Sequence, residues 1–296
     1  KRCKEDVVFD AACFIILTLV LFVVAYPLYW VIISSISAPS AVSSGKVLLH
    51  PIGFTLKGYA EVFKNDQVMR GFLNSLIITF CGVMVNLIVT LPTSYALSRS
   101  NFSGKKPITI FYLITMFFGG GLIPTYLVIQ RLQMLNTIWA LILPGCLSVY
   151  NMIVARTFFK SNISEELYEA AEIDGCTQAR FFFQIALPLS KAIIAILVLY
   201  YGVGHWNSYF SALVYISDKA KYPLQLVLRN ILITNQTALS QTATTAAARA
   251  ALQEKQQLID VMKYSLIIIS SIPVLVMYPL VQKHFVKGVM IGSMKG

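Results

Sequence analysis

The chain has 296 residues, of which 57% are hydrophobic and only 12% are charged. Soluble globular domains carry about 25% charged residues, so this composition excludes a water-soluble protein and indicates one that lies in a lipid bilayer. The net charge of +11 is spread over many connecting segments rather than concentrated on one soluble face. It therefore does not indicate a nucleic-acid-binding protein.

Six apolar segments follow one another along the chain, each largely inside a gap without Asp, Glu, Lys or Arg. Every gap can hold the roughly 18 apolar residues that a spanning helix needs. The first segment is too long to be the apolar core of a secretory signal, so it is also interpreted as a spanning helix. The sequence therefore predicts an all-α membrane protein with six transmembrane helices, at residues 12–34, 71–97, 108–129, 138–157, 192–216 and 264–282.

Basic residues indicate the orientation of these helices. An even number of crossings places both termini and the 156–191 loop on one side of the membrane. The basic residues on that side include Lys1, Arg2, Lys4, Arg99, Lys105, Lys106, Lys283, Lys287 and Lys295. Lys and Arg are more frequent in cytoplasmic than in translocated loops, so this side is predicted to be cytoplasmic. Residues 217–263 then form one long extracytoplasmic loop, within which 246–258 is rich in helix-forming residues.

The cysteines show no pair spacing typical of a metal site. They all fall in predicted spans or on the predicted cytoplasmic side, at Cys3, Cys13, Cys81, Cys146 and Cys176. We expect free thiols, and we expect no metal site.

The most informative segment is a polar stretch, residues 164–188, between two apolar runs. Ser164 is suited to N-cap a helix whose first turn carries Glu165 and Glu166, and Gly175 is suited to end that helix. Thr177 is suited to cap a second short helix. A short helix between spans can lie along the lipid headgroups or can occupy a groove on a partner protein.

Seven residues in register favour the partner. The triplet Glu169-Ala170-Ala171 is followed by Gly175, Ile185 and Leu187-Pro188, and this spacing resembles the cytoplasmic coupling loop of permease subunits of ATP-binding-cassette (ABC) importers. The resemblance extends along the chain to the carbohydrate-uptake, maltose-type branch, and within it to the subgroup for complex oligosaccharides and polysaccharides. The motifs that carry it are Tyr26-Pro27-Leu28-Tyr29, Asn74-Ser75, Ala96-Leu97-Ser98-Arg99, Gly119 to Pro124, Trp206-Asn207, Tyr222-Pro223-Leu224-Gln225 and Lys287 to Gly296.

The resemblance implies a type I ABC importer permease fold with a cytoplasmic coupling helix. It divides the chain into an N-terminal helix and first extracytoplasmic loop (1–70), a transmembrane domain (71–285) with a coupling loop at 159–188, and a cytoplasmic tail (286–296). The residues implied to couple to an ATPase are Glu169, Ala170, Ala171, Asp174, Gly175, Ile185, Leu187 and Pro188. The tail residues implied to contact the ATPases are Gly292, Ser293, Met294, Lys295 and Gly296. Cys176 stands where the family often has a small Ala.

The resemblance also implies partners and a location. These are a second homologous permease, two ATPase subunits that carry ATP and Mg²⁺, and an extracytoplasmic sugar-binding protein, in the bacterial cytoplasmic (inner) membrane. The chain itself is expected to bind no cofactor and to be no enzyme. An anionic cargo such as alginate or a pectin fragment is compatible with the sequence, because the predicted spans hold no carboxylate to repel it.

Polar and aromatic residues at membrane depth are candidates for lining the sugar path, because polar groups facing lipid cost free energy. They are Tyr201, His205, Trp206, Asn207 and Tyr209. Hydrogen bonding between helices would explain the polar ones equally well.

The energy source must lie outside this chain. None of the 13 acidic residues falls within a predicted span, whereas ion-driven carriers usually need such a residue, and no phosphate-binding loop motif is present. Paired carboxylates, a His cluster or a nucleophile motif are also missing near the spans, so an embedded enzyme has no support. The alternative to a permease subunit is a self-sufficient ion-coupled sugar carrier or channel.

Overall fold

The computed structural model describes residues 4–238 and 246–292, and every regular element within these two ranges is helical. This confirms the predicted all-α class. The α-helices are α1 (Lys4–Ser35), α2 (Pro39–Ser43), α3 (Lys57–Lys64), α4 (Asp66–Ser98), α5 (Lys105–Phe117), α6 (Leu122–Arg131), α7 (Trp139–Ile142), α8 (Val149–Asn162), α9 (Glu165–Ile173), α10 (Gln178–Phe181), α11 (Leu187–Leu189), α12 (Lys191–Trp206), α13 (Phe210–Tyr215), α14 (Leu224–Ala238) and α15 (Ala246–Gly292).

Three helices are long and apolar enough to cross a membrane: Val8–Ser35, Asp66–Ser98 and Gln256–Pro279. Three further pairs of helices meet the same criteria only as bent pairs. These are Lys105–Phe117 with Leu122–Arg131, Trp139–Gly145 with Val149–Asn162, and Gln178–Leu189 with Lys191–Trp206. The described residues therefore hold three to six spans, and six are reached only if each bent pair counts as one crossing.

The predicted helix over 108–129 is interrupted at its three glycines. Helix α5 ends at Phe117, α6 begins at Leu122, and the two axes differ by 114°. Gly121 has φ +85°, a left-handed conformation that side chains other than Gly rarely adopt. The sequence indicated a local loosening here, and the structure shows a full break.

The predicted helices over 138–157 and 192–216 are also not continuous. In the first, a 3₁₀ turn at Leu143–Gly145 precedes α8 and the bend is 52°. In the second, α12 ends at Trp206, so the predicted span was too long at its C-terminal end. Helix α12 instead pairs with Gln178–Leu189 across Ser190, at 80°.

The chain forms two compact units. The first comprises Lys1–Met69 and Leu228–Ile272, and the second Arg70–Val227 and Pro273–Gly296. The first unit has a core of apolar side chains, among them Ile33, Val47 and Val261. The aromatic motif near the end of α1 contacts the connecting segment that follows α2, because the Tyr29 hydroxyl donates a hydrogen bond to the Leu49 carbonyl at 2.6 Å. The boundaries 1–70, 71–285 and 286–296 stay a prediction.

The second unit contains two cores. One surrounds Ile142, Ala212 and Leu226. At its edge, the Asn74 amide donates to the carbonyl of Tyr222 at 3.1 Å. The adjacent Ser75 hydroxyl accepts the backbone N–H of Leu224 at 2.8 Å. Two motifs far apart in sequence, Asn74-Ser75 and Tyr222–Gln225, thus form one structural joint.

The last helix is longer than predicted. The helix-forming stretch at 246–258 and the span at 264–282 belong to one continuous helix, α15, with Pro273 and Pro279 inside it. Of the predicted tail contacts, Gly292 is the last residue of α15, whereas Ser293, Met294, Lys295 and Gly296 lie outside the described residues.

Candidate coupling surface and transport path

Helix α9 begins and ends where its capping residues predict. The Ser164 hydroxyl accepts the backbone N–H of Leu167 at 3.3 Å, and Glu165 and Glu166 occupy the first turn. At the other end, Gly175 has φ +77° and its N–H donates to the Glu172 carbonyl at 2.9 Å. The caps satisfy backbone groups that a helix end leaves free, so a helix this short is held in a defined place.

Helix α9 belongs to the second unit. One side of it packs on the other core of that unit, which surrounds Tyr95, Phe159 and Phe181. Tyr168 is buried in it, with its ring edge-on to Phe181 at 5.3 Å. Ala171 is half-buried against the same core. Of the predicted coupling residues on α9, Ala171 therefore faces inward in part.

The other side of α9 is free. Glu169, Ala170 and Asp174 are exposed, as is Gly175 just beyond the helix. Ile173 has an exposed fraction of 86%, the highest of the large apolar side chains in the described residues. The sequence analysis did not select Ile173, although an isoleucine between two acidic residues, Glu172 and Asp174, was a usable signal. These side chains form one surface, here called the coupling surface.

Arg99 contacts α9 on the side away from the coupling surface. Its guanidinium lies 4.0 Å from the centroid of the Tyr168 ring, a cation–π distance, and pairs with the Glu165 carboxylate. The backbone N–H of Ser100 donates to the same carboxylate at 3.0 Å, and the Ser100 hydroxyl also donates to it. We call Arg99, Ser100, Glu165 and Tyr168 the anchor. It joins the end of α4 to the start of α9.

The anchor explains the protonation state of Glu165. The hydrogen bond from the Ser100 hydroxyl is the main cause that lowers the pKa of this carboxyl group below its ordinary value. The Ser100 N–H and the charges of Arg99 and Lys105 act in the same direction, and partial burial opposes them. The carboxylate is therefore charged at neutral pH, and it accepts both hydrogen bonds and the ion pair.

The second half of the polar segment is packed more deeply than its motif suggested. Thr177 caps α10 through its hydroxyl, which accepts the Arg180 N–H at 3.3 Å. A π-helical turn, Phe182–Ala186, follows. Ile185 and Leu187 are half-buried against the same core as α9, whereas Pro188 is exposed. Ile185 and Leu187 hold the segment in place and are not part of the open coupling surface.

A cavity of about 360 Å³ lies between the end of α4 and α10. Its lining includes Tyr95, Arg99, Phe102, Tyr168 and Phe183. It shares Arg99 and Tyr168 with the anchor.

The predicted path residues divide into two groups. Tyr201 and Trp206 are buried within the chain, and the Tyr201 hydroxyl lies 2.8 Å from the Thr90 hydroxyl. The His205 Nε2 atom is hydrogen-bonded to the side-chain oxygen Oδ1 of Asn86 at 2.7 Å. In this structure, Tyr201 and His205 therefore make hydrogen bonds between helices. Asn207 and Tyr209 are exposed, and their contact with sugar stays a prediction.

Within 4–238 and 246–292, no three His, Cys, Asp or Glu side chains lie together in a group that could hold a metal ion. Cys13, Cys81, Cys146 and Cys176 are free thiols. Cys3 lies outside the described residues.

Known proteins resemble this chain over nearly its whole length. A scan against models of protein families gives no match. The polygalacturonan/rhamnogalacturonan transport system permease protein YtcP of Bacillus subtilis (strain 168) is 36% identical over 288 residues, 97% of this chain and 98% of that protein. Protein LplC of the same organism is 38% identical over 293 residues, 99% of this chain and 97% of that protein.

A solved structure shares the fold. It is a chain of a bacterial ABC transporter involved in the import of the acidic polysaccharide alginate, with a TM-score of 0.86 and 27% identity over 96% of this chain and 99% of that chain. The helical fold with its exposed polar loop is thus that of an ABC importer permease. The chain belongs to the family of ABC sugar-transport permeases.

Proposed function

We propose that the chain is one permease subunit of an ATP-driven, binding-protein-dependent importer of oligosaccharides or polysaccharides. Helix α9 carries this proposal, because it presents one free surface at the family's coupling motif while the anchor fixes its other side. A surface that only lay on lipid headgroups would not need a buried tyrosine and a charged anchor behind it. A second permease would supply the other half of the path.

In the proposed topology each bent pair is one crossing, which gives six spans in the cytoplasmic membrane. Both termini and the coupling surface then lie in the cytoplasm. The basic residues near the 164–188 segment support this orientation. Arg99, Lys105 and Lys106 lie in one connecting segment, 99–106, which contains no Asp or Glu.

The partners follow from the proposed topology. Two ATPase subunits, which hold ATP and Mg²⁺, would receive the coupling surface, and Glu169, Ala170, Ile173 and Asp174 would lie in the groove of one of them. An extracytoplasmic sugar-binding protein would deliver the cargo. The predicted contacts of Gly292 to Gly296 with the ATPases stay part of this proposal.

The cargo is proposed to be an acidic polysaccharide fragment. Two similar proteins are named for such material: polygalacturonan/rhamnogalacturonan for one, alginate for the other. Another relative, GanQ of Bacillus subtilis (strain 168), is named for galactooligosaccharides, at 29% identity. The higher identity of the YtcP match, 36%, favours the acidic class.

The proposed mechanism is alternating access. ATP binding draws the ATPases together, and the coupling surface moves with them. The anchor passes this displacement from α9 to α4, which spans Asp66–Ser98, and so changes which side of the membrane the path opens to. Hydrolysis resets the transporter. In this scheme the chain transmits force and performs no chemistry.

A self-sufficient ion-coupled carrier is the second candidate, and no observation favours it. In the described helices that are long enough to cross a membrane, the acids Asp10, Asp66 and Asp260 each lie within the first five residues of their helix. The Asp260 carboxylate is paired with Lys263 at 2.6 Å, one helical turn away. This arrangement stabilises a local helix turn and does not resemble an ion-binding site built from several helices.

Substitution on the coupling surface tests the proposed function. In the complete transporter, Glu169→Lys should abolish ATP-driven sugar uptake while the permease still inserts and folds. Glu61→Lys makes the same charge change on α3, at a half-buried acid that pairs with Lys64; it is the control and should transport normally. Normal uptake by Glu169→Lys would show that α9 does not couple this chain to an ATPase.

A further inference from the structure

A groove of about 550 Å³ lies in the second unit, where the start of α8, the middle of α12 and the last part of α15 meet. Its lining includes Tyr150, Asn151, Tyr200, Val203, Val274 and Tyr278. We call it the tyrosine groove. None of the side chains that line it is charged.

The three tyrosines are open to a ligand. Their exposed fractions lie between 43% and 55%, and within the described residues their hydroxyls make no hydrogen bond to the protein. The rings therefore offer both flat faces and free polar ends. Tyrosines and tryptophans pack on apolar surfaces with the ring and bond polar groups with the tip.

Asn151 points to a polar ligand more strongly. Its exposed fraction is only 6%, and it lines the groove. Its backbone N–H is held by the Ser148 hydroxyl, but its side-chain amide has no hydrogen-bond partner among the residues that the structure describes. The amide atoms are not fully enclosed, so they open to the groove. A lipid tail in the groove would leave them without a partner, at a cost of about 1–3 kcal/mol, and is therefore an unfavourable occupant of this place.

The surrounding structure keeps the groove in shape. The hydroxyl of Tyr201, the residue next to Tyr200 on α12, accepts the backbone N–H of Ser148 at 3.2 Å and so fixes the start of α8. Gly202 lets α15 approach, because a Cβ at this position would overlap the Met277 methyl group. Tyr201 is thus a positioning residue for the groove.

We propose that the tyrosine groove is a sugar-binding subsite of the transport path, an inference that rests on the proposed function. Sugar rings have apolar C–H faces, which pack on the tyrosine rings, and hydroxyls, which bond the Asn151 amide and the phenol groups. The volume is that of a small-ligand pocket and suits a short part of a longer chain.

The lack of charge makes this subsite indifferent to the charge of its ligand. It holds rings and hydroxyls that acidic and neutral sugars share, and no group that would select a carboxylate. Selection for acidic cargo must therefore act elsewhere in the transporter. Damage to the groove should weaken the transport of neutral and acidic oligosaccharides to the same degree.

The test uses the complete transporter in proteoliposomes, with an oligogalacturonide and a galactooligosaccharide as probes. Tyr200→Ala and Asn151→Ala should each raise the KM for the oligogalacturonide by about tenfold, the size expected when a ring contact or a hydrogen bond is lost. Where the unaltered transporter also moves the galactooligosaccharide, the KM for that probe should rise by the same factor. Tyr200→Phe keeps the ring and should change the KM by less than Tyr200→Ala. Tyr112→Ala, a half-buried tyrosine on α5 outside the groove, is the control.

Three other outcomes would overturn the subsite. One is an unchanged KM in Tyr200→Ala and Asn151→Ala. Another is loss of the second permease from the purified complex in these variants but not in Tyr112→Ala, which would make the groove a contact between permeases. The third is a larger effect on the acidic probe than on the neutral one. If the unaltered transporter moves neither probe, the proposed function fails, whereas normal transport with unaffected groove variants defeats only this inference.

Discussion

The substitution Glu165→Gln tests the anchor between α4 and α9, because it replaces one carboxylate oxygen by an amide nitrogen. The change keeps the shape of the side chain and removes the charge that accepts from Ser100 and pairs with Arg99. The Arg99 side chain is only 12% exposed and the Glu165 side chain 42%. A hydrogen bond to a charged group contributes about 1.5–3 kcal/mol, and the exposure of Glu165 reduces this to about 1–2 kcal/mol for the anchor.

A loss of this size in the element that we propose transmits force should uncouple the transporter without unfolding it. About 1.4 kcal/mol corresponds to a tenfold change in an equilibrium, so we expect sugar moved per ATP hydrolysed to fall by roughly five- to thirtyfold. The assay compares sugar uptake with ATP hydrolysis in the same proteoliposomes. Arg99→Lys should give a similar loss, because Lys keeps the charge but not the planar stacking on Tyr168.

Glu166→Gln is the matched control for the anchor. Glu166 is the next residue in the same helical turn, is exposed, and takes no part in the anchor. If Glu165→Gln and Glu166→Gln transport equally well per ATP, the anchor does not carry the movement of α9 to α4.

Three further outcomes are expected. Ile173→Ala removes the most exposed apolar side chain of the coupling surface; it should weaken co-purification of the ATPases by about tenfold and leave the melting temperature of the permease unchanged. Gly82→Ala should lower that melting temperature because its methyl group would meet the His205 ring, which is held by Asn86, whereas Gly204→Ala, with no atom within 4 Å of its Cβ, should not. The pKa of Glu165 is lowered, so the anchor is complete above the ordinary carboxyl pKa and is lost as the pH falls through the folded value. Stability measured down to acid pH should show this loss in the unaltered chain and not in Glu165→Gln.

The sequence predicts local features well. Ser164 and Gly175 define α9 because caps act on the backbone within one turn. Gaps between charged residues locate the apolar segments for a similar reason, because the absence of charge within a segment is a local property of the sequence. They do not show whether a segment is one helix or two. The break at Gly119–Gly121 and the bend at Ser190 depend on how neighbouring helices satisfy the freed backbone groups.

Features that depend on distant pairs are missed. Ser100 and Glu165 are 65 residues apart, and no local pattern indicates that they meet. The motif at Ala96–Arg99 was recognised as typical of the family, but its structural role came only with the fold.

The phase of a helix is a second limit. The sequence analysis selected Tyr201 for the path; the structure buries Tyr201, and the adjacent Tyr200 lines the groove. Adjacent residues of a helix point about 100° apart, so a shift of one position moves a side chain from an open face to the core. In α12 nearly all residues are apolar and give no sign of which face is which.

Reconstitution of the purified chain alone and with its partners decides whether it is driven from outside. Liposomes that contain only this chain should show no sugar flux with ATP or with a proton or sodium gradient. Liposomes that also contain the second permease, the two ATPases and the binding protein should take up sugar when ATP is supplied. Flux through the chain alone, or uptake in the complete system that persists without ATP, would mean that α9 is not the site at which energy enters.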